Sequence, residues 1–199
     1  MALEIIAESA AWLADYGQIS IGFTVESVLE VVELDGGLGG LGLREHRVEQ
    51  PWFKDYDAPD DNRPQDWSKR FDIRNWGLLS AQISGGQGPH LGGAVIAHAT
   101  PGLDMLEGRD DLAVLWDIRV APEARGQKVG SALFTAAEAW ALERGCRWLK
   151  VETQTVNVPA CRFYQRQGCV LGVIHRFAYP DLPEEVQVLW YKQLKAVNS

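Results

Sequence analysis

The stretch Leu115-Trp116-Asp117-Ile118-Arg119-Val120-Ala121-Pro122-Glu123-Ala124-Arg125-Gly126-Gln127-Lys128-Val129-Gly130-Ser131 decides the fold. Its first part completes the run Val114–Val120, which is rich in apolar and β-branched residues and predicts a strand. Its second part passes through proline and glycine and opens onto Val129, Leu133, Ala136, Ala137, Trp140 and Ala141. Those apolar positions recur at helical spacing, and Gly145 supplies a natural stop. A strand that feeds a helix through such a loop presents unpaired amide N–H groups and the positive end of the helix dipole. A phosphate binds there if the backbone can come close. Gly126 and Gly130 clear side chains from the approach, and Arg125 and Lys128 add positive charge beside the same amides. Such a site suits a diphosphate. Taken alone, the stretch also allows a plain strand-to-helix connection with glycines for turning.

Working outward, Arg147–Thr153 predicts a short strand, and a helix follows from about Pro159 to Gln167. Asn157 suits its cap, Pro159 its first turn and Gly168 its end. Cys169–Ala178 and Val186–Leu194 close the chain as two strands. Upstream, Trp76–Ser84 and Leu91–Ala99 are strands joined by the hairpin-like Ser84-Gly85-Gly86-Gln87-Gly88. Pro51 to Asp72 is dense in Asp, Pro, Asn and Trp and predicts a long surface loop. Ile19–Val32 begins as a strand, and Ile5, Ile6, Ala10 and Leu13 suggest a short amphipathic helix. Gly37-Leu38-Gly39-Gly40-Leu41-Gly42 fits the spacing of a dinucleotide loop, but Pro51 follows soon and no βαβ unit surrounds it. It is expected to be a mobile loop. The order of elements predicts a mixed α/β or α+β sheet. No repeat and no break in composition divides the 199 residues, so a single domain 1–199 is expected.

Apolar residues at 46% and charged residues at 23% fit an ordinary globular chain with a core. A formal charge of −8 speaks against broad nucleic-acid binding, which needs basic patches, and suits either plain solubility or steering of a cationic substrate. No apolar run reaches the roughly 18 residues of a membrane span, and the N-terminus lacks a basic start and cleavage site. Cys146, Cys161 and Cys169 form no CxxC pair, so a reducing cytoplasm is expected and a disulfide framework is not. His46, His90, His98 and His175 lack ligand spacing, so no metal is expected.

The second decisive stretch is Asn157-Val158-Pro159-Ala160-Cys161-Arg162-Phe163-Tyr164-Gln165-Arg166-Gln167-Gly168. Together with the phosphate loop it resembles the GCN5-related N-acetyltransferase (GNAT) superfamily. In that family Arg/Gln-x-x-Gly-x-Gly/Ala opens the main helix, and Asn-x-x-Ala-x-x-x-Tyr-x-x-x-Gly marks the helix after the next strand. Asn157, Ala160, Tyr164 and Gly168 match the second pattern throughout; Arg125 and Gly130 match the first. The segment from Val151 to Gly168 is most similar to streptothricin acetyltransferases. The resemblance covers roughly Val114 to Leu194 and implies a mostly antiparallel sheet of six to seven strands flanked by helices. It also implies a splayed strand pair that holds coenzyme A. Acetyl-coenzyme A is then the co-substrate, bound by Ile118, Arg119, Val120, Arg125, Gly126, Gln127, Lys128, Val129, Gly130, Ser131, Asn157, Ala160, Phe163 and Tyr164. The part from 1 to 113 would serve the acceptor. Family members are often dimers, which leaves a homodimer open.

Two positions depart from the family. Lys128 stands where glycine is usual, which a helical backbone would accommodate. Trp116 stands before Asp117 where relatives often carry a glutamate used as general base. The resemblance implies attack by a primary amine on a thioester. Asp117 and Glu152 are the candidate bases, with Glu152 favoured for position, and Tyr164 is the expected acid for the departing thiolate. A backbone N–H of Ile118–Val120 would polarise the carbonyl. The expected acceptor is a small cationic amine, antibiotic-like or polyamine-like. A protein or peptide amine, or a module that binds coenzyme A without catalysis, are the alternatives. Among Trp52, Trp67, Trp76 and Trp116, one or two near the acceptor can form a cation–π wall. The acidic run Asp55 to Asp61 can line the same site or be a solvated loop.

Overall fold

The run Leu112-Ala113-Val114-Leu115 is buried on both of its alternating faces, as a strand inside a covered sheet must be. The structure, a computed structural model, describes residues 2–58, 63–85 and 88–195. In chain order the elements are β1 (Leu3–Ala7), α1 (Leu13–Tyr16), β2 (Phe23–Glu33), β3 (Leu41–Lys54), α2 (Trp67–Arg70), β4 (Gly77–Ile83), β5 (Gly92–Ala97) and β6 (Leu112–Val120). Then come α3 (Val129–Glu143), β7 (Trp148–Gln154), α4 (Val158–Arg166), β8 (Val170–His175) and β9 (Gln187–Gln193). Seven strands form one sheet in the order β1-β4-β5-β6-β7-β9-β8, and β2 and β3 form a two-stranded sheet. Every ladder described is antiparallel except β6 with β7. This is the mixed, mostly antiparallel α/β sheet expected from the sequence.

Residue contacts group the chain into two compact units. The first comprises the described residues of Met1–Ile21, Asp55–Lys150 and Gln193–Ser199. In it α3 packs on β4, β5 and β6, and Leu133 and Phe134 are fully buried. Each of those two side chains contributes about 1.5–3 kcal/mol by leaving water. The other face of the sheet is covered by Trp12 and Tyr16. Successive strand residues point to opposite faces, and the two faces meet at a glycine pair. A Cβ on Gly92 would sit 3.2 Å from Leu133 Cδ1, and one on Gly93 would sit 2.4 Å from Trp12 Cη2. Only a residue without a side chain lets that indole come so close to β5.

The parallel pairing of β6 with β7 runs from Leu112↔Trp148 to Val114↔Lys150 and ends there, although β6 continues to Val120. On its other edge β6 stays paired with β5, with one interruption. Val95 faces Asp117 and Ile96 faces Leu115, so Trp116 is the extra residue of a β-bulge.

The second unit comprises Gly22–Lys54 and Val151–Lys192. Its long hairpin β2–β3 turns through Asp35–Gly40, where the Leu34 N–H donates to the Gly40 carbonyl at 3.0 Å. Helix α4 packs on β2, with Val158, Cys161 and Tyr164 turned inward.

Several expectations need correction. Ile5 and Ile6 lie in strand β1 rather than a helix, because their backbones pair with Ala81 and Ser80 of β4. The expected helix shrinks to α1 with a 3-10 turn before it. The glycine-rich 37–42 stretch is a hairpin turn whose last residues already belong to β3. The Pro51–Asp72 loop is shorter than expected: Pro51–Lys54 ends β3, Pro64–Asp66 is a 3-10 turn and α2 follows. Residues 59–62, which hold part of the acidic run, and 86–87 of the 84–88 turn lie outside the described residues. Among the described residues no helix is long and apolar enough to cross a membrane.

Candidate active site

The loop expected to hold phosphate, Arg125 to Ser131, belongs to the first unit. After β6, Pro122–Ala124 makes one 3-10 turn, Gly126 turns with φ +78° and α3 starts at Val129. The first helical bond is from the Ala132 N–H to the Lys128 carbonyl, 3.1 Å. The amides of Val129, Gly130 and Ser131 therefore precede the hydrogen-bonded ladder, at the positive end of a helix of 15 residues. Gly126, Gln127 and Lys128 are exposed beside them. Side chains brace the loop from below. Arg125 donates through Nε to the Val120 carbonyl (3.1 Å) and through Nη2 to the Ser20 carbonyl (3.0 Å). The Gln127 side-chain amide donates to the Glu123 carbonyl at 2.8 Å.

Lys128 differs from expectation. Its backbone is left-handed, φ 66° and ψ 6°, and not helical. The chain must reverse sharply between Gly126 and the first helical turn, and a left-handed residue at the cap accomplishes that reversal. A Cβ there is strained by about 1–2 kcal/mol, which accounts physically for a glycine preference at such a position.

The bulge at Trp116 sits before a buried ionic cluster, also in the first unit. Trp116 is half-buried against Phe71, Trp76 and Trp67, with ring centroids 5.2, 5.4 and 6.3 Å away. Asp117 accepts from the Tyr16 hydroxyl at 2.7 Å and from Arg119 Nη2 at 2.9 Å and Nε at 3.1 Å. Arg119 also grips Asp57 bidentately, Nη1 to Oδ2 at 2.5 Å and Nη2 to Oδ1 at 2.9 Å. Its side chain is only 1% exposed. Burial by itself would lower the Arg119 pKa, but Asp117 and Asp57 outweigh it and hold the guanidinium protonated well above its ordinary range. Tyr16 is fully buried, and desolvation together with the Asp117 charge pushes its phenol well above the usual value. Both oxygens of Asp117 are thus engaged by a phenol and a cation.

The second unit holds the other motif. Asn157 caps α4, its Oδ1 accepting the Ala160 N–H at 3.1 Å, and Pro159 lies in the first turn as expected. Tyr164 is 5% exposed and its ring lies 5.3 Å from that of Phe163. Glu152 on β7 accepts from the Tyr179 hydroxyl at 2.6 Å, and that hydroxyl accepts from the Gln154 amide at 3.0 Å. No ion pair to Glu152 is found among the described residues. Cys161 is buried, which pushes its thiol up to about 12, so it is a packing residue and not a nucleophile at neutral pH.

Of the residues singled out in the sequence, Asp117, Ile118, Arg119 and Val120 end β6, and Arg125 to Ser131 form the loop and first turn of α3. Glu152, Asn157, Ala160, Phe163 and Tyr164 lie together on the β7–α4 segment. Trp67, Trp76 and Trp116 cluster in the first unit, whereas Trp52 is an exposed residue of β3 in the second. The sequence reading missed Tyr16 and Tyr179, and held Asp57 only as one member of the acidic 55–61 run. Arg119 at i+2 from Asp117 on a strand was a usable sign of an ion pair. Nothing local marked the two tyrosines.

A profile of the acetyltransferase (GNAT) family matches residues 46–169. The chain belongs to this family. Among curated GNAT relatives, streptothricin acetyltransferase of Escherichia coli is 40% identical over 85 residues, 41% of this chain and 49% of that protein. This chain spans about half the length of the curated relatives it first matches. The crystal structure of nourseothricin acetyltransferase superposes with a TM-score of 0.75 at 25% identity, covering 98% of this chain and 100% of that one. A Bacillus anthracis protein solved in complex with acetyl coenzyme A has the same fold, with a TM-score of 0.73 at 22% identity over 98% and 99% of the two chains.

Proposed function

We propose that this GNAT chain transfers the acetyl group of acetyl-coenzyme A to a primary amine of a small cationic molecule, of which streptothricin is the first candidate. The observation that carries the reading is the junction Gly126–Ser131: an exposed loop running into helical amides that precede the ladder. It suits a diphosphate such as that of coenzyme A. The acetyl-coenzyme A on the Bacillus anthracis neighbour and the name of the Escherichia coli relative support the donor and the acceptor class respectively.

Acetyl-coenzyme A supplies an activated thioester. This chain's residues manage protons and charge around it. Removing a proton from an alkylammonium at neutral pH costs roughly 4–5 kcal/mol, and a carboxylate base lowers that barrier. Glu152, held by the Tyr179 hydroxyl at one oxygen, takes this role in preference to Asp117, both of whose oxygens are held by Tyr16 and the Arg119 cation. A backbone N–H of Ile118–Val120 donates to the carbonyl oxygen as negative charge develops. When the carbon–sulfur bond breaks, Tyr164 donates its proton to the leaving sulfur. Arg125 and Lys128 supplement the amides of Val129 to Ser131 at the diphosphate, while Asn157, Ala160 and Phe163 hold the pantetheine arm.

Free-thiol release from acetyl-coenzyme A, measured against streptothricin, polyamines, aminoglycosides and peptide amines, tests the reading. Release with a small cationic amine supports it; release with peptides alone, or with none of the panel, overturns it. Tyr164→Phe should lower kcat by about 10²-fold or more while coenzyme A affinity by calorimetry stays within about twofold. Unchanged kcat would remove Tyr164 from its role.

A further inference from the structure

Arg119 uses its guanidinium completely. Nε donates to Asp117, Nη2 to Asp117 and Asp57, and Nη1 to Asp57 and the Ile19 carbonyl at 3.3 Å. Those contacts account for all five N–H groups of an arginine. The Tyr16 ring lies 5.0 Å from the guanidinium carbon, and its hydroxyl closes the cluster on Asp117. Three separate stretches of the first unit are joined at one side chain: Tyr16–Ile19, the turn at Asp55–Ala58 and the end of β6. The turn is itself shaped by Asp55, whose Oδ1 accepts the Asp57 N–H at 3.0 Å and presents the second carboxylate inward.

Stability alone is a poor reason for this arrangement. Buried ion pairs are often replaced by apolar residues at no loss, because the desolvation of the charges cancels much of their attraction. Here two carboxylates share one cation, with side chains 9% and 19% exposed around a guanidinium that is 1% exposed. What such a cluster provides is geometry, since a forked cation fixes two carboxylates in one plane. Its position is also specific. Asp117 is the first paired residue after the bulge at Trp116, and Arg119 lies between Ile118 and Val120.

We propose that Arg119 is a positioning residue, latching the 55–58 turn to the end of β6 so that the acceptor-side chain and the post-bulge strand hold one geometry. The inference rests on the acetyl-transfer reading above for its consequence, while the latch itself can be tested without turnover.

Two variants of the full chain test it: Asp57→Asn, which keeps the shape and removes one charge, and Arg119→Lys, which keeps the charge and removes the fork. Hydrogen exchange is followed at residues 55–58 and at 116–120. If the latch couples them, both variants speed exchange in both segments together. Faster exchange in one segment alone, or in neither, overturns the coupling. With streptothricin as acceptor, Asp57→Asn should raise its KM roughly tenfold and leave the KM of acetyl-coenzyme A within about twofold. Equal changes in the two KM values, or none, would reduce Arg119 to a structural residue. Absence of turnover in the unaltered chain would defeat the acetyl-transfer reading, and the exchange result would still decide the latch.

Discussion

Arg119 and Arg125 flank the same strand end and meet different partners. Arg119 lies within β6, its guanidinium enclosed between Asp117 and Asp57 and its side chain 1% exposed. Arg125, in the loop beyond, is exposed and braces backbone carbonyls of Val120 and Ser20. A buried guanidinium needs carboxylates to offset the loss of water, whereas an exposed one keeps its hydration and can turn toward a ligand's charge. The buried cluster therefore serves the geometry of the chain, and the loop keeps charge available beside unladdered amides. The lesson is that charge at a site is not one resource: its role follows from what surrounds it.

The largest expected break in this contrast is Arg119→Met. It leaves Asp117 and Asp57 without their cation and should cost about 3–5 kcal/mol in urea unfolding. A cost below about 1 kcal/mol would mean that the cluster is solvated in solution. Next comes alkaline pH. Tyr16 has a folded pKa raised above its unfolded value, so its contribution is complete below about pH 10 and is lost as pH rises toward the folded pKa. The thermal midpoint should fall as pH rises above about 10, the value of the free phenol, and Tyr16→Phe should flatten that fall. An equally steep fall in Tyr16→Phe would assign it to other groups.

Arg125→Ala should behave in the opposite way to Arg119→Met. Stability stays within about 0.5–1 kcal/mol, while coenzyme A affinity drops roughly tenfold and its salt dependence weakens. A large loss of stability with no change in affinity would turn Arg125 into a second Arg119. The smallest effect is Lys128→Gly. Relief of a left-handed backbone at φ 66° should raise stability by about 0.5–1 kcal/mol in thermal melts. A loss instead would show that the lysine side chain stabilises the loop by more than its strain costs.

Much of this molecule was legible from its residues. The α3 periodicity, the Gly145 stop and the Asn157–Pro159 start of α4 all appear where local chemistry puts them. So do β4, β5, β6, β7 and β9, within a residue or two. The N-terminal half was less clear. Ile5 and Ile6 carry a pattern that suits a short helix or a strand, and the pairing with β4 decided between them. Strand β3 runs through Pro51, a residue that breaks most strands, because Pro51 falls where the ladder with β2 is interrupted, between Trp52 and Arg47. In the candidate site, the loop before α3 was visible because helix starts, glycines and basic residues act over a few positions.

The sequence by itself determined the family, the order of elements along β6 to α4 and the residues of both motifs, since each depends on neighbours within one or two turns of chain. Only the tertiary structure decided that Lys128 is left-handed, that Trp116 bulges and that Asp57 and Tyr16 meet at Arg119. The reason is range. Capping, periodicity and turn chemistry are local energies written in adjacent residues. A buried guanidinium draws its partners from distant stretches of chain, and nothing local records which carboxylate it will reach.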